Sequence, residues 1–165
     1  MPPIQKPGKS RQDYQTPPEF LQALKNRLGI LNFGLDIAAS PENAVCLEYI
    51  TEEMNALDES QVWCSDGWAF CNPPYANITP WVRKAFEESR HPLTQIAMLV
   101  PASVGANWWL NHVHNKAYVY FLNGRLTFIG ETTPYPKDCA ILLYASFLQG
   151  GYKVWDWRGR TIKGV

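Results

Sequence analysis

Between Phe33 and Phe147 the sequence alternates two patterns: short, continuous apolar runs closed by turn formers, and stretches of helical spacing. A short apolar run bounded by turn residues reads as a strand with no solvent face. Such strands alternating with helices argue for an α/β domain with a mostly parallel sheet. The runs are Phe33 to Ala39, Cys46 to Ile50, Trp68 to Cys71, Gln95 to Val100, Ala117 to Leu122 and Cys139 to Phe147. The strand-rich last third predicts antiparallel strands added late. There Asn123-Gly124 is a hairpin dipeptide that would turn Arg125 to Ile129 back onto the preceding strand.

Helices fill the gaps. Thr16-Pro17-Pro18-Glu19 fits a capping box with Pro at the first helical position. Phe20, Leu21, Leu24 and Leu28 then recur at helical spacing until Gly29 stops them. Thr51 is expected to cap a short helix through about Leu57. Thr79-Pro80 is expected to cap another, with Trp81, Val82, Ala85 and Phe86 on one face. Trp108, Trp109 and Val113 mark a further helix, in which the two tryptophans read as packing residues.

The chain of 165 residues is one domain's length, and its 46% apolar content supports a sizeable core. With only 18% charged residues, disorder over most of the chain is excluded. Lys+Arg and Asp+Glu both number 15, so a strongly basic coat is excluded as well. Six of those 15 basic residues lie near the ends: Lys6, Lys9, Arg11, Arg158, Arg160 and Lys163. We therefore expect a flexible basic arm over 1–13, one catalytic-size domain over 14–157 and a basic tail over 158–165. The arms are either solvated or touch a polyanion. No apolar run approaches the roughly 18 residues of a membrane helix. The polar, Pro-rich start has no apolar signal core, so a cytoplasmic protein without membrane attachment is expected. Cys46, Cys64, Cys71 and Cys139 form no CxxC pair and read as free thiols. His112 and His114 have no third ligand nearby, so no metal site is expected.

Asn72-Pro73-Pro74-Tyr75, at the end of a buried strand, carries the most chemistry. Two prolines fix two φ angles and remove two N–H donors, which makes the loop stiff. The Asn72 side-chain oxygen and the Pro73 carbonyl can each accept a hydrogen bond from an –NH₂ group, and Tyr75 can stack on the ring bearing it. An aromatic amine is a poor nucleophile because its lone pair is delocalised. Two acceptors out of the ring plane localise that pair for attack on an electrophilic methyl group, by positioning and electrostatics. A base in a duplex reaches such a pocket only by flipping out. Asp36 lies within an apolar run, where a carboxylate needs a partner, and the small residues Ala38, Ala39 and Ser40 follow it. Ligands bind beyond the carboxyl ends of strands in such sheets; Asp36 and Asn72 are both expected at such ends, so one crevice would hold both.

The segments 15–24 (QTPPEFLQAL), 33–40 (FGLDIAAS), 49–57 (YITEEMNAL), 72–75 (NPPY) with the following ITPWVRKA, 98–103 (MLVPAS) and 121–128 (FLNGRLTF), together with Asn43, occur in the order of the phage-type, Dam-like DNA adenine-N6 methyltransferases. The chain resembles that family from about Gln15 to Phe147. The resemblance implies a Rossmann-like methyltransferase fold with S-adenosyl-L-methionine as methyl donor and DNA as substrate, in a bacterial host's cytoplasm if phage-encoded. It evidences no obligate protein partner. It also implies that Thr16 and Pro17 form the methionine end of the cofactor pocket. Asp36 and Ala38 would stand in for a glycine-rich loop, since no GxGxG run is present. For the ribose hydroxyls Glu48, Glu52 and Asp58 are candidates, Glu52 foremost; Asn55 stands where the family tends to have Asp. By the same resemblance Arg125 and Phe128 are substrate-side residues. The alternatives are an internal salt bridge for Arg125 and a core position for Phe128.

Other readings of NPPY are methylation of a protein glutamine amide or an RNA amine, or a DNA-binding protein with a decayed site. The first lacks the glycine-rich loop and N-terminal domain that usually accompany it; the intact NPPY and Asp36 speak against the last. Cytosine C5 chemistry needs a nucleophilic Cys after a Pro, whereas Cys71 precedes Asn72 within a strand. With no room for a large recognition domain, 102–116 or 129–138 and the arms would read a short site.

Overall fold

The computed structural model describes residues 14–148 and 150–160. The expected arm over 1–13, and Lys163 of the tail, lie outside them. The elements in chain order are α1 (Pro18–Leu28), β1 (Leu35–Ala39), β2 (Tyr49–Thr51), β3 (Trp68–Cys71), α2 (Thr79–Glu88), β4 (Gln95–Pro101), α3 (Asn107–His112), β5 (Tyr118–Asn123), β6 (Cys139–Ala145) and β7 (Gly151–Asp156). The seven strands form one sheet in the order β2-β1-β3-β4-β6-β5-β7. β1 pairs parallel with both β2 and β3, and β3 with β4. β6 runs antiparallel between β4 and β5, and β7 pairs parallel with β5. The fold is the expected α/β class, with the antiparallel strands in the C-terminal half.

Two cores explain the continuous apolar runs. In β4, Ile96, Met98 and Val100 face one way, onto Trp81, Val82 and Ala85 of α2 and Trp109 of α3. Ala97 and Leu99 face the other way, into the cluster of Phe20 and Leu24 of α1 with Phe33, Phe70 and Phe128. A central strand dry on both faces has no polar alternate positions, as parallel sheets require.

Five local expectations are corrected. Thr79 does not cap α2: it is the first helical residue, Ile78 takes the N-cap position and no side chain bonds there. Helix α1 starts at Pro18 with Pro17 as its N-cap, and no side chain caps it; the Thr16 hydroxyl is engaged elsewhere. Its end is as expected: Gly29 takes φ 70° and Ile30 donates back to the Lys25 carbonyl at 3.0 Å. The second strand shrinks to Tyr49–Thr51, and turns replace the helix after it. Thr51 Oγ1 accepts from Met54 N–H at 3.4 Å, but Asn55 sits at φ 54°, a left-handed position no helix continues through. The Asn123-Gly124 hairpin does not form. β5 has only two edges, and β6 and β7 occupy both. Residues 125–129 run instead beside the segment before α1, where Ile129 N–H donates to the Gln15 carbonyl at 3.1 Å. Finally, β7 stands where no strand was anticipated.

Candidate active site

β6 is antiparallel to both β4 and β5, so β1, β3, β4, β5 and β7 all end at one edge of the sheet. Asn72 follows β3 at that edge, where Pro73 and Pro74 cannot donate to the ladder and end the strand. A single 3₁₀ turn over Tyr75–Asn77 then leads into α2.

The Asn72 amide has a definite orientation. Its Nδ2 donates to the Tyr14 carbonyl at 3.0 Å and to Thr16 Oγ1 at 3.1 Å. Its Oδ1 accepts the Tyr75 hydroxyl at 2.7 Å. A carbonyl can only accept, so Tyr14 fixes which end of the amide faces it. The Oδ1 is left on the side of the Tyr75 ring. Burial holds the Tyr75 hydroxyl well above the usual tyrosine range, so it remains a neutral donor.

Around Tyr75 stands an aromatic group. Tyr14 lies 6.2 Å from it between centroids and Tyr135 5.9 Å. Phe128 stacks beneath Tyr14 at 4.8 Å and is only 1% exposed. Phe128 thus occupies the core position that was its alternative, and Tyr14 and Tyr135 are the rings beside Asn72. Neither was singled out from sequence. Their traces were an aromatic two residues before Thr16 and a Tyr set between Pro134 and Pro136 in an otherwise polar loop.

Asp36 is the second residue of β1 rather than its end. Its register neighbours are Tyr49 and Phe70, and the pairing with β2 is irregular between Asp36 and Ala39. The carboxylate is 3% exposed and accepts Val45 N–H at 3.0 Å and Ala38 N–H at 3.4 Å. Burial pushes it up to about 6 despite those two donors.

Two cavities meet at this edge. The larger, of about 250 Å³, is lined by Ala38, Ile50, Glu52, Asn55, Pro74 and Trp81, among others. The smaller, of about 10 Å³, lies between Tyr14, Thr16, Asp36, Ala38, Asn43 and Asn72. Ala38 is common to both, and Pro74 lines the first as Asn72 lines the second, so the two cavities are neighbours around the ends of β1 and β3. Trp81 is stiffened by stacking on the fully buried Trp63 at 6.0 Å. Thr16, Asp36, Ala38 and Asn72 are therefore brought together at the smaller cavity, and Ala38, Pro74 and Glu52 at the larger. Pro17 and Pro73 are buried next to them. Of the other two acidic candidates, neither Glu48 nor Asp58 lines either cavity; the Asp58 carboxylate instead accepts from Ser60.

Arg125 stands apart, on the loop after β5. Its side chain is half exposed and its Nε meets Asp138 Oδ1 at 3.2 Å. Arg158, after β7, donates to the Arg125 carbonyl at 2.8 Å and lies over the Trp157 ring at 4.2 Å. Gly124 allows this approach. It has φ 108°, and a Cβ there would meet the Arg158 guanidinium at 2.5 Å.

A family model described as DNA N-6-adenine-methyltransferase (Dam) matches residues 5–149. The chain belongs to the Dam family. A DNA N-6-adenine-methyltransferase of Escherichia phage T1 is 34% identical over 121 residues, which are 73% of this chain and 49% of that protein. A protein of the same name from Haemophilus phage HP1 (strain HP1c1) is 31% identical over 109 residues, 66% of this chain and 61% of that one. The chain thus spans about half to three fifths of the length of the curated relatives it matches. Within this Dam-family chain the matched span takes in β1 to β6, Asn72 and both cavities. No helix of the described residues is long and apolar enough to cross a membrane.

Proposed function

We propose that this chain transfers a methyl group from S-adenosyl-L-methionine to the N6 amine of an adenine flipped out of DNA. One observation carries the reading: the Asn72 amide is held with its oxygen, not its nitrogen, toward the Tyr75 hydroxyl, beside the cavities at the ends of β1 and β3. An acceptor there suits an amine and would repel a carbonyl.

The chemistry of these cavities fits the donor. Asp36 is a buried carboxylate without a cationic partner among its hydrogen bonds, which suits an ammonium at the methionine end. Thr16 and Pro17 close that end. Glu52 is exposed at the far cavity and suits ribose hydroxyls. Ile50 and Trp81 offer apolar walls for a purine. Bound in this way, the donor supplies an electrophilic methyl group and needs no metal.

The remaining work belongs to the protein. The incoming amine displaces the Tyr75 hydroxyl from Asn72 Oδ1 and donates one hydrogen bond there and one to the Pro73 carbonyl. That geometry draws the lone pair out of the ring system. The nitrogen bonds to the methyl carbon as the carbon–sulfur bond breaks, leaving a thioether, and the nitrogen then sheds one proton to solvent. Tyr75 stacks on the base, with Tyr14 and Tyr135 as the aromatic surround; base–aromatic stacking contributes about 1–3 kcal/mol. Arg125 and Arg158 emerge at the same sheet edge and suit the phosphates flanking the flipped nucleotide. The Arg125–Asp138 pair is exposed, and such pairs are worth about 0–1 kcal/mol, so exchanging Asp138 for a phosphate costs little.

The test is product identity. Unmethylated DNA is incubated with the protein and methyl-labelled S-adenosyl-L-methionine, then digested to nucleosides for mass spectrometry. The reading predicts label on N6 of adenine. Label on cytosine, or on RNA or a glutamine amide and not on DNA, would overturn it.

A further inference from the structure

Resting on that reading, we infer that Thr16 is a positioning residue for Asn72, holding the amide in its reactive orientation as well as bordering the smaller cavity. Fifty-six residues separate the two, yet Asn72 Nδ2 lies 3.1 Å from Thr16 Oγ1. Residues 14–16 are tied down from the other side, because Gln15 accepts from Ile129 N–H at 3.1 Å and Tyr14 stacks on Phe128. The segment before α1 is thus a fixed rail with two acceptors on it, the Tyr14 carbonyl and the Thr16 hydroxyl. They take both hydrogens of the Asn72 amide, which locks rotation about its terminal bond and leaves Oδ1 facing the Tyr75 hydroxyl, the place the amine would take.

The hydroxyl also links the two ligand ends. A hydroxyl that accepts from Asn72 still has its own hydrogen to donate. Thr16 lines the small cavity with Asp36, so that hydrogen remains available to an acceptor group of the ligand while the lone pair stays on Asn72. This also accounts for Thr16 not capping α1: its oxygen faces the smaller cavity, and Pro17 takes the N-cap position without a side-chain bond.

The experiment compares Thr16→Val and Thr16→Ser with the unaltered chain. Cofactor Kd is measured by calorimetry, and the single-turnover methyl-transfer rate at saturating cofactor and DNA. Val is isosteric and offers no lone pair; Ser restores one. T16V is expected to lower the saturated rate about tenfold or more, the effect of one hydrogen bond lost at a reacting group. T16S is expected to recover most of that loss. If T16V reaches the unaltered rate once cofactor is saturating, Thr16 serves binding alone and the inference fails. Equal losses in T16S and T16V would also overturn it. Should T16V not fold, the unaltered full chain still decides through nitrogen-15 NMR of the Asn72 side-chain amide. Two exchange-protected protons are expected, and one freely exchanging proton would contradict the assignment. That arm does not depend on activity, so failure of the inference and failure of the methyltransferase reading remain distinguishable.

Discussion

Asp36 carries its carboxyl in a buried strand, at 3% exposure. Its pKa is raised from the usual 3.8 to about 6 because burial penalises the charged form. The ionised state is therefore the costly one in the folded chain. The contribution of Asp36 to stability is fully present below about 3.8 and is lost as pH rises through about 6, by about 3 kcal/mol for a two-unit shift. Asp36→Asn is expected to flatten that profile and stabilise the cofactor-free protein at mildly alkaline pH, measured by urea unfolding across pH. In the unaltered chain, cofactor affinity measured by calorimetry is expected to weaken as pH falls through the same value, because a protonated Asp36 cannot pair with an ammonium. Tyr75 supports a second prediction. Its hydroxyl occupies Asn72 Oδ1, and in the proposed reaction it gives way to the amine while the ring stacks on the base. Tyr75→Phe should keep most of the single-turnover rate. Tyr75→Ala should lose roughly 5- to 100-fold, the equivalent of about 1–3 kcal/mol of stacking. Equal losses in both would mean the hydroxyl has a role beyond the resting state.

At the level of elements, the sequence was most legible where a segment's environment is uniform. β1, β3, β4 and β6 are dry on both faces, so their apolar runs announced them. β7 did not announce itself, because four of its six residues are exposed and only Trp155 is buried. It is a strand by virtue of the free edge of β5, which no local pattern encodes. The hairpin expected at Asn123-Gly124 failed for the same reason: dipeptide chemistry permitted the turn, but β5 had no vacant edge. The loop that replaced it sets Arg125 among Asp138, Arg158 and Trp157. If this element meets DNA phosphates, Arg125→Gln should reduce the slope of log affinity against log salt by about one phosphate's share, roughly 0.9 in magnitude, across unrelated sequences. Cofactor affinity should not change. An unaltered salt slope would remove Arg125 from the DNA face.

At the scale of the molecule, the site is a convergence of segments far apart in the chain. Asn72 and Tyr75 were readable as a unit because NPPY is contiguous. Thr16 was readable only as a cofactor residue, since nothing in its local sequence points to a partner after β3. Phe128 and Tyr135 could not be ranked from sequence, because which ring lies underneath depends on how 125–138 folds over the segment before α1. The central claim is that Asn72, held by Tyr14 and Thr16, is the group that activates the amine. The most direct test is the single-turnover rate of Asn72→Ala against the unaltered chain, with cofactor Kd measured alongside. The account predicts a fall of about a hundredfold or more in N6-methyladenine formation, comparable to loss of one preorganised catalytic hydrogen bond, with Kd changed by no more than a few-fold. A rate within a few-fold of the unaltered chain would contradict it.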